Sequence, residues 1–355
     1  MEALQRENEA LKLEIRRLQC LLGLSASPSP DPRPLTVATL VGNGTKGWRD
    51  DERLDNAQLC VPTGLALSPS DGSVVWSDFK GQRLRRLSPD RGRVWTVAGD
   101  GNTGYRDAGD PLVAQFDDPW GIAFEPDGNA LLVCDLYNHR IRRVTERGVT
   151  TLAGTGEEGG KDGAALSASF SGPCGVAVDP QTADIYVAEY TGCRVRRIEH
   201  RSGAVSLVAG SADSASGYAD ECGSKALFNY PYGLCFDAGR RILFVADCCG
   251  HKIRQVALDG QCSTIALCSY PACVATGEGG SVFTAEYDCN RILDVTPQQP
   301  PTMLAGSMQG AHGLANGRAA ESLFFYPHGL LWDPSHHSLL VTDSYNHCIR
   351  EITGF

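Results

Sequence analysis

One pattern returns six times along this chain: VVWSDFKGQRLRRL from Val74, LLVCDLYNHRIRRV from Leu131, IYVAEYTGCRVRRI from Ile185, LFVADCCGHKIRQV from Leu243, VFTAEYDCNRILDV from Val282 and LLVTDSYNHCIREI from Leu339. Such repetition restricts a chain to stacked or ring-shaped architectures, because each unit has faces that only its neighbours can bury. Each apolar run ends in an acid, at Asp78, Asp135, Glu189, Asp247, Glu286 and Asp343. Successive acids are 57, 54, 58, 39 and 57 residues apart.

Each unit reads as four short strands. A Pro-x-Gly step opens the first, as in PWGIAF at Pro119. The apolar run before the acid forms the second. A tight turn such as YNHR, TGCR or CGHK leads to the third, and segments such as VWTVAG and VSLVAG supply the fourth. Runs of four to six apolar residues bounded by Gly, Asn and Asp suit strands better than helices. Continuous apolar runs indicate strands buried on both faces, as in sheets packed face to face.

The ends complete the count. The last unit stops at Phe355, after its third strand, while a surplus strand, Thr36–Val41, precedes the first unit. Docking that strand on the last unit closes a ring and pairs an otherwise bare edge. The expected fold is all-β: a six-bladed β-propeller over residues 35–355, closed by an N-terminal strand.

Residues 1–23 read differently. Met1, Asn8, Ile15 and Leu22 recur every seven residues, as do Leu4, Leu11 and Leu18. Leucine at one heptad position and a single asparagine at the other suit a parallel two-stranded coiled coil. The expectation is a short coiled-coil helix that dimerises the chain through Leu4, Asn8, Leu11, Ile15, Leu18 and Leu22. Residues 24–34 alternate proline with small or polar residues and read as a spacer.

Composition narrows the function. A net charge of −10 opposes bulk attraction to nucleic acid or anionic membrane. No apolar run approaches the ~18 residues of a membrane span, and the charged N-terminus does not read as a secretory leader. The expected compartment is the cytoplasm. The 14 cysteines then read as reduced, several inside apolar strands, such as Cys134, Cys235 and Cys273. No C-x-x-C pair supports a zinc site.

At LLVCDLYNHRIRRV the chain resembles the NHL repeat family, whose name comes from an Asn-His-Leu type turn. Asn138-His139-Arg140 and Asn346-His347-Cys348 match best, whereas Gly192-Cys193-Arg194 and Asp288-Cys289-Asn290 depart from the pattern. The resemblance spans residues 35–355 and implies the propeller fold. It also implies three functional classes: RNA binders with a basic face, a zinc-dependent lyase, and protein-binding scaffolds.

The residues favour the third. In the lyase class, the zinc-binding histidines resemble the residue inside Pro-x-Gly steps. Here those positions are Thr63, Trp120, Cys174, Tyr232, Ala272 and His328, with a single histidine. Three converging ligands are needed for a catalytic zinc, so no metal or other cofactor is expected. Arginine follows the acid by seven residues at Arg85, Arg142, Arg196, Arg254 and Arg350, with Leu293 in the fifth unit. That regularity suits a structural pair or surface stripe, and no basic aromatic cluster stands out for RNA.

The expected function is therefore a non-catalytic platform for a protein partner. The ring from Thr63 to His328 crowds one channel mouth and is the candidate contact. Trp48, Tyr105 and Tyr218 share one loop position and are either further contacts near that mouth or plugs between blades. Two alternatives remain: a hydrolase or lyase acting on a small molecule or peptide at the channel, and an RNA-binding NHL domain.

Overall fold

The structure, a computed structural model, describes residues 34–355. The expected coiled coil, with its candidate dimer residues Leu4, Asn8, Leu11, Ile15, Leu18 and Leu22, lies outside the described residues. So does the spacer up to Arg33.

Six antiparallel sheets form the blades of a propeller. Their first strands are Pro62–Leu67, Pro119–Phe124, Pro173–Val178, Pro231–Asp237, Pro271–Thr276 and Pro327–Asp333. Each first strand touches the first strands on either side, and together they line a central channel. Second strands such as Leu131–Asp135 and Ile185–Glu189 are buried along their whole length. Blade-to-blade packing on both faces is why their sequence lacks alternation.

The sixth blade is closed as expected. Thr36–Val41 pairs antiparallel with Cys348–Thr353, in the register Val37↔Ile352 and Ala38↔Glu351. Val37 and Val41 are 2% and 1% exposed.

The Pro-x-Gly steps set how closely the blades approach. A Cβ on Gly64 would lie 2.4 Å from the Trp120 carbonyl of the next blade, and one on Gly329 would lie 2.0 Å from the Thr63 carbonyl. Only glycine leaves room for the neighbouring backbone there. The fifth blade has Cys273 at this position.

The acid and arginine form a buried clamp. Arg85, Arg142, Arg196, Arg254 and Arg350 pair with Asp78, Asp135, Glu189, Asp247 and Asp343 at 2.9, 2.5, 2.8, 3.0 and 2.7 Å, and the paired side chains are fully buried. The arginine also holds the loop that leads into its blade. Arg142 donates to the carbonyls of Gln115 (2.9 Å) and Arg106 (3.0 Å) and pairs with Asp107 at 2.7 Å. The fifth blade lacks the long loop, and its equivalent residue is Leu293. The stripe is therefore a structural device. The acids accept the N–H of the segment entering the blade, as Asp117 N–H donates to Asp135 and Phe325 N–H to Asp343.

The turn residues share one task, whether they match the family pattern or depart from it. Val61, Gly172 and Tyr270 N–H donate to Nδ1 of His347, His139 and His251 at 3.3, 3.2 and 3.3 Å. Asp118 N–H donates to Gln82 and Tyr326 N–H to Asn290. Each acceptor lies on one blade and its donor just ahead of the next blade's proline, so five latches run round the ring. Any acceptor that reaches serves, which explains the variation in the turn. All five acceptors are left-handed, with φ between 50° and 56°.

A histidine latch works only while Nδ1 is unprotonated. Burial pushes His139 and His347 below the ordinary histidine value. The unfolded chain takes up those protons from about pH 6.5. The latches' contribution is therefore complete above that pH and is lost as pH falls through the range below it. Burial also pushes Asp78, Asp135 and Asp343 up to about 6, against the opposing pull of their arginines. Those acids act in the opposite sense, so the histidine part must be isolated. The double variant His139→Gln plus His347→Gln copies the first blade's latch. Its melting temperature is expected to match wild type at pH 8 and exceed it by several degrees at pH 5. Parallel melting curves across that range would rule out histidine latches.

Candidate functional site

The Pro-x-Gly ring splits into two groups. Thr63, Cys174 and Ala272 are buried at 1%, 2% and 3% exposure. The Thr63 hydroxyl meets Ser77 at 3.0 Å, and the Cys174 thiol donates to the Tyr232 carbonyl at 3.1 Å. These three serve the blade contacts. Trp120, Tyr232 and His328 are half-buried and meet at the mouth. The Trp120 ring lies 5.3 Å from Tyr232 and 5.5 Å from His328, both edge-on.

Two further sets of rings join them. The residue after the acid supplies Phe79, Tyr190 and Tyr287, and the residue before the proline supplies Tyr230, Tyr270 and Tyr326. Phe79 lies 4.6 Å from Trp120, Tyr190 lies 4.8 Å from Tyr232, and Tyr287 lies 5.4 Å from His328. Tyr287 also meets Tyr326 at 5.8 Å and Tyr270 at 5.9 Å. These rings are one and two steps from repeated positions in the sequence, so reading every column of the repeat would have found them. Below the rings, the channel holds a cavity of about 80 Å³ lined by the Pro-x-Gly residues. That is room for a few waters.

The His328 imidazole is neutral. Burial pushes it down to about 4. Its Nδ1 lies 2.9 Å from the Tyr326 carbonyl, which can only accept, so Nδ1 carries the proton. Nε2 is then a lone-pair acceptor with no partner among the described residues. Ser344 Oγ also lies 3.1 Å from Nδ1, but its hydroxyl donates to the Pro62 carbonyl at 2.5 Å and is fully buried. It is not placed as a nucleophile. Burial pushes the Cys174 and Cys248 thiols well up, which leaves them protonated. Lys80 is the cation at this face: its ammonium lies 4.0 Å over the Phe79 ring and 2.6 Å from Asp118.

The loop aromatics are not plugs between blades: Trp48, Tyr105 and Tyr218 are 62%, 45% and 52% exposed. They lie over the outer half of each blade. The Tyr105 hydroxyl meets Thr151 of the outermost strand at 2.9 Å. The rings stack on the cation that begins the third strand: Arg83 over Trp48 at 5.5 Å, Arg140 over Tyr105 at 3.9 Å and Lys252 over Tyr218 at 4.3 Å. The clamp draws each loop outward and carries its ring there.

A larger groove of about 920 Å³ lies between the first and second blades at the opposite end, beside Trp95. Its Arg86 and Arg143 are paired with Asp71 and Glu125. Among the described residues, no group of three His, Cys, Asp or Glu side chains is placed to hold a metal ion. No helix among them is long and apolar enough to cross a membrane.

These features define a six-bladed propeller whose blades are joined by turn-borne latches. A profile of the NHL repeat matches residues 116–144, which span the second blade's first three strands. NHL repeat-containing protein 2 of Gallus gallus is 25% identical over 303 residues, covering 82% of this chain and 40% of that protein. Protein SUPPRESSOR OF QUENCHING 1, chloroplastic, of Arabidopsis thaliana is 25% identical over 317 residues, covering 77% and 30%. The chain is a β-propeller that carries an NHL repeat in its second blade, and it spans 30–40% of the length of these two relatives. Among solved structures, an auxiliary nutrient binding protein from Bacteroides thetaiotaomicron superposes with a TM-score of 0.69 at 14% identity, covering 90% of this chain and 76% of that one. A gluconolactonase from Xanthomonas campestris gives 0.59 at 14%, covering 91% and 95%. At such identity these likenesses concern the fold alone.

Proposed function

We propose that this propeller is a non-catalytic platform that binds a protein partner at its aromatic channel mouth. The observation that carries the reading is the cluster around Trp120, Tyr232 and His328, widened by Phe79, Tyr190 and Tyr287. Large rings on a rigid scaffold offer contact area at little entropic cost, and they dominate binding energy at protein interfaces. Tyr137, Tyr230 and Tyr345 add 60%, 36% and 51% exposed rings on the same face. The neutral His328 and the protonated thiols support contact over chemistry.

The tether favours the same surface. Thr36 pairs with Thr353, at the end of its blade opposite the mouth. If the heptads of residues 1–23 dimerise the chain, a repeated partner is held with added avidity. The 13 described cysteines are free thiols, which suits a reducing compartment such as the cytoplasm.

The test is affinity capture with the full chain and with Trp120→Ala plus Tyr232→Ala. Each ring is expected to contribute about 2 kcal/mol or more to binding. The double variant should lose its partners while keeping a cooperative melt. An unchanged set of captured proteins would remove the mouth from consideration.

A further inference from the structure

Five of the six blades carry a segment of the chain's own loop along the outer strand. In the first four, the N–H of Thr96, Thr151, Leu207 and Thr264 donates to a loop aspartate at 3.0, 3.0, 3.3 and 3.1 Å. In the sixth, Gly317–Arg318 pairs with Thr36 and Val37. The fifth blade has no such segment, because only Cys268–Tyr270 separate it from the fourth. Met303 stands opposite Leu293 just as Thr96 stands opposite Arg85, so its N–H points outward in the same way. Among the described residues that N–H meets no acceptor.

We propose that this strand, Thr302–Gly306, is a docking edge for an extended segment of a partner protein, with an aromatic residue followed two positions later by an apolar one. Three of the other blades, the first, second and fourth, supply the template. Their loops carry Trp48 with Asp50, Tyr105 with Asp107, and Tyr218 with Asp220. The ring stacks on the cation that opens the third strand, and the aspartate meets the clamp arginine. The fifth blade keeps the cation: Arg291 is paired through Nε to Glu286, its side chain is 25% exposed, and no ring among the described residues covers it. A guanidinium of this kind complements an aromatic face. The fifth blade has lost the arginine. Leu293 stands in its place at 6% exposure, so an incoming carboxylate finds no partner and an apolar side chain fits better.

The edge is selective rather than open. Pro301 occupies the position where Val94 and Val149 each exchange two bonds with a loop residue. Proline removes one donor and blocks indiscriminate strand pairing. A second copy of this chain is a poor occupant, since its matching segments carry aspartate and are already clamped on their own blades. This edge lies apart from the channel mouth and does not depend on the mouth's function.

The experiment uses the full chain and two synthetic peptides of residues 101–115. One has the native sequence, and the other carries Asp107→Leu. Fluorescence anisotropy should show the leucine peptide binding at least about tenfold more tightly than the native one, a difference of about 1.4 kcal/mol. Met303→Pro removes the N–H and should abolish that binding without lowering the melting temperature. Leu293→Arg should reverse the preference, which keeps the test decisive if the proline variant folds poorly. No binding of either peptide at about 1 mM, binding indifferent to residue 107, or no reversal in Leu293→Arg would overturn the proposal. So would a concentration-dependent dimer that Met303→Pro dissolves, because the edge would then be filled by a second copy. Trp120→Ala should leave peptide binding unchanged.

Discussion

Removing residues 1–42 is expected to yield a chain that aggregates, whereas removing residues 1–33 leaves a propeller that melts within a few degrees of the full chain. The longer deletion takes out the strand that pairs with Cys348–Thr353. It exposes Ile352, which is fully buried, and strips Val37 and Val41 from the core. Burying a valine side chain contributes about 1.5–3 kcal/mol, so two account for a sizeable part of the ~5–15 kcal/mol that holds a domain folded. The freed edge then offers unpaired N–H and C=O groups to other molecules. Light scattering and thermal melts read both effects. The same measurement on the full chain and the shorter deletion tests dimerisation, since a dimer that becomes a monomer locates the contact in residues 1–33. A 1–42 deletion that stayed monomeric with an unchanged melt would contradict closure by this strand.

The second large effect is expected at the clamp. Arg142→Met should cost about 3–5 kcal/mol, because it leaves a buried carboxylate without its partner. Asp135 is fully buried, and the Gln115 and Arg106 carbonyls lose their donor as well. The leading loop should become sensitive to protease at the same time. Leu293→Met, at the equivalent position in the blade that has no loop, should cost less than about 1.5 kcal/mol. Denaturant unfolding compares the two. A loss below about 1 kcal/mol for Arg142→Met would mean that the clamp is not a stabilising unit. Arg142 is the better choice over Arg196 and Arg350, whose Nε atoms have no hydrogen-bond partner.

The mouth was only partly legible. Trp120, Tyr232 and His328 stood out because the Pro-x-Gly step marks the start of each first strand. Phe79, Tyr190 and Tyr287 did not, because their column also holds Leu136, Cys248 and Ser344. The loop aromatics were left between two places for a related reason. Sequence showed that Trp48, Tyr105 and Tyr218 share a position, but not that a buried arginine pulls each loop over the outer strands. The variable turns looked degenerate because the task they share is set by geometry. Histidine, glutamine and asparagine look unrelated in one dimension, yet all accept a hydrogen bond from the next blade.

Blade number, strand order and closure by Thr36–Val41 all followed from the sequence, as did the regular spacing of acid and arginine, though not whether the two pair or the arginines form a surface stripe. They rest on local periodicity and on copies of one unit, and repetition reports such features six times over. The tertiary structure alone decided which side chains share the channel mouth, which atoms latch one blade to the next, and which outer strand stays bare. Those depend on contacts between residues 19 to 286 positions apart, and on the closed ring that brings Val61 beside His347. No pattern within a single repeat encodes that distance.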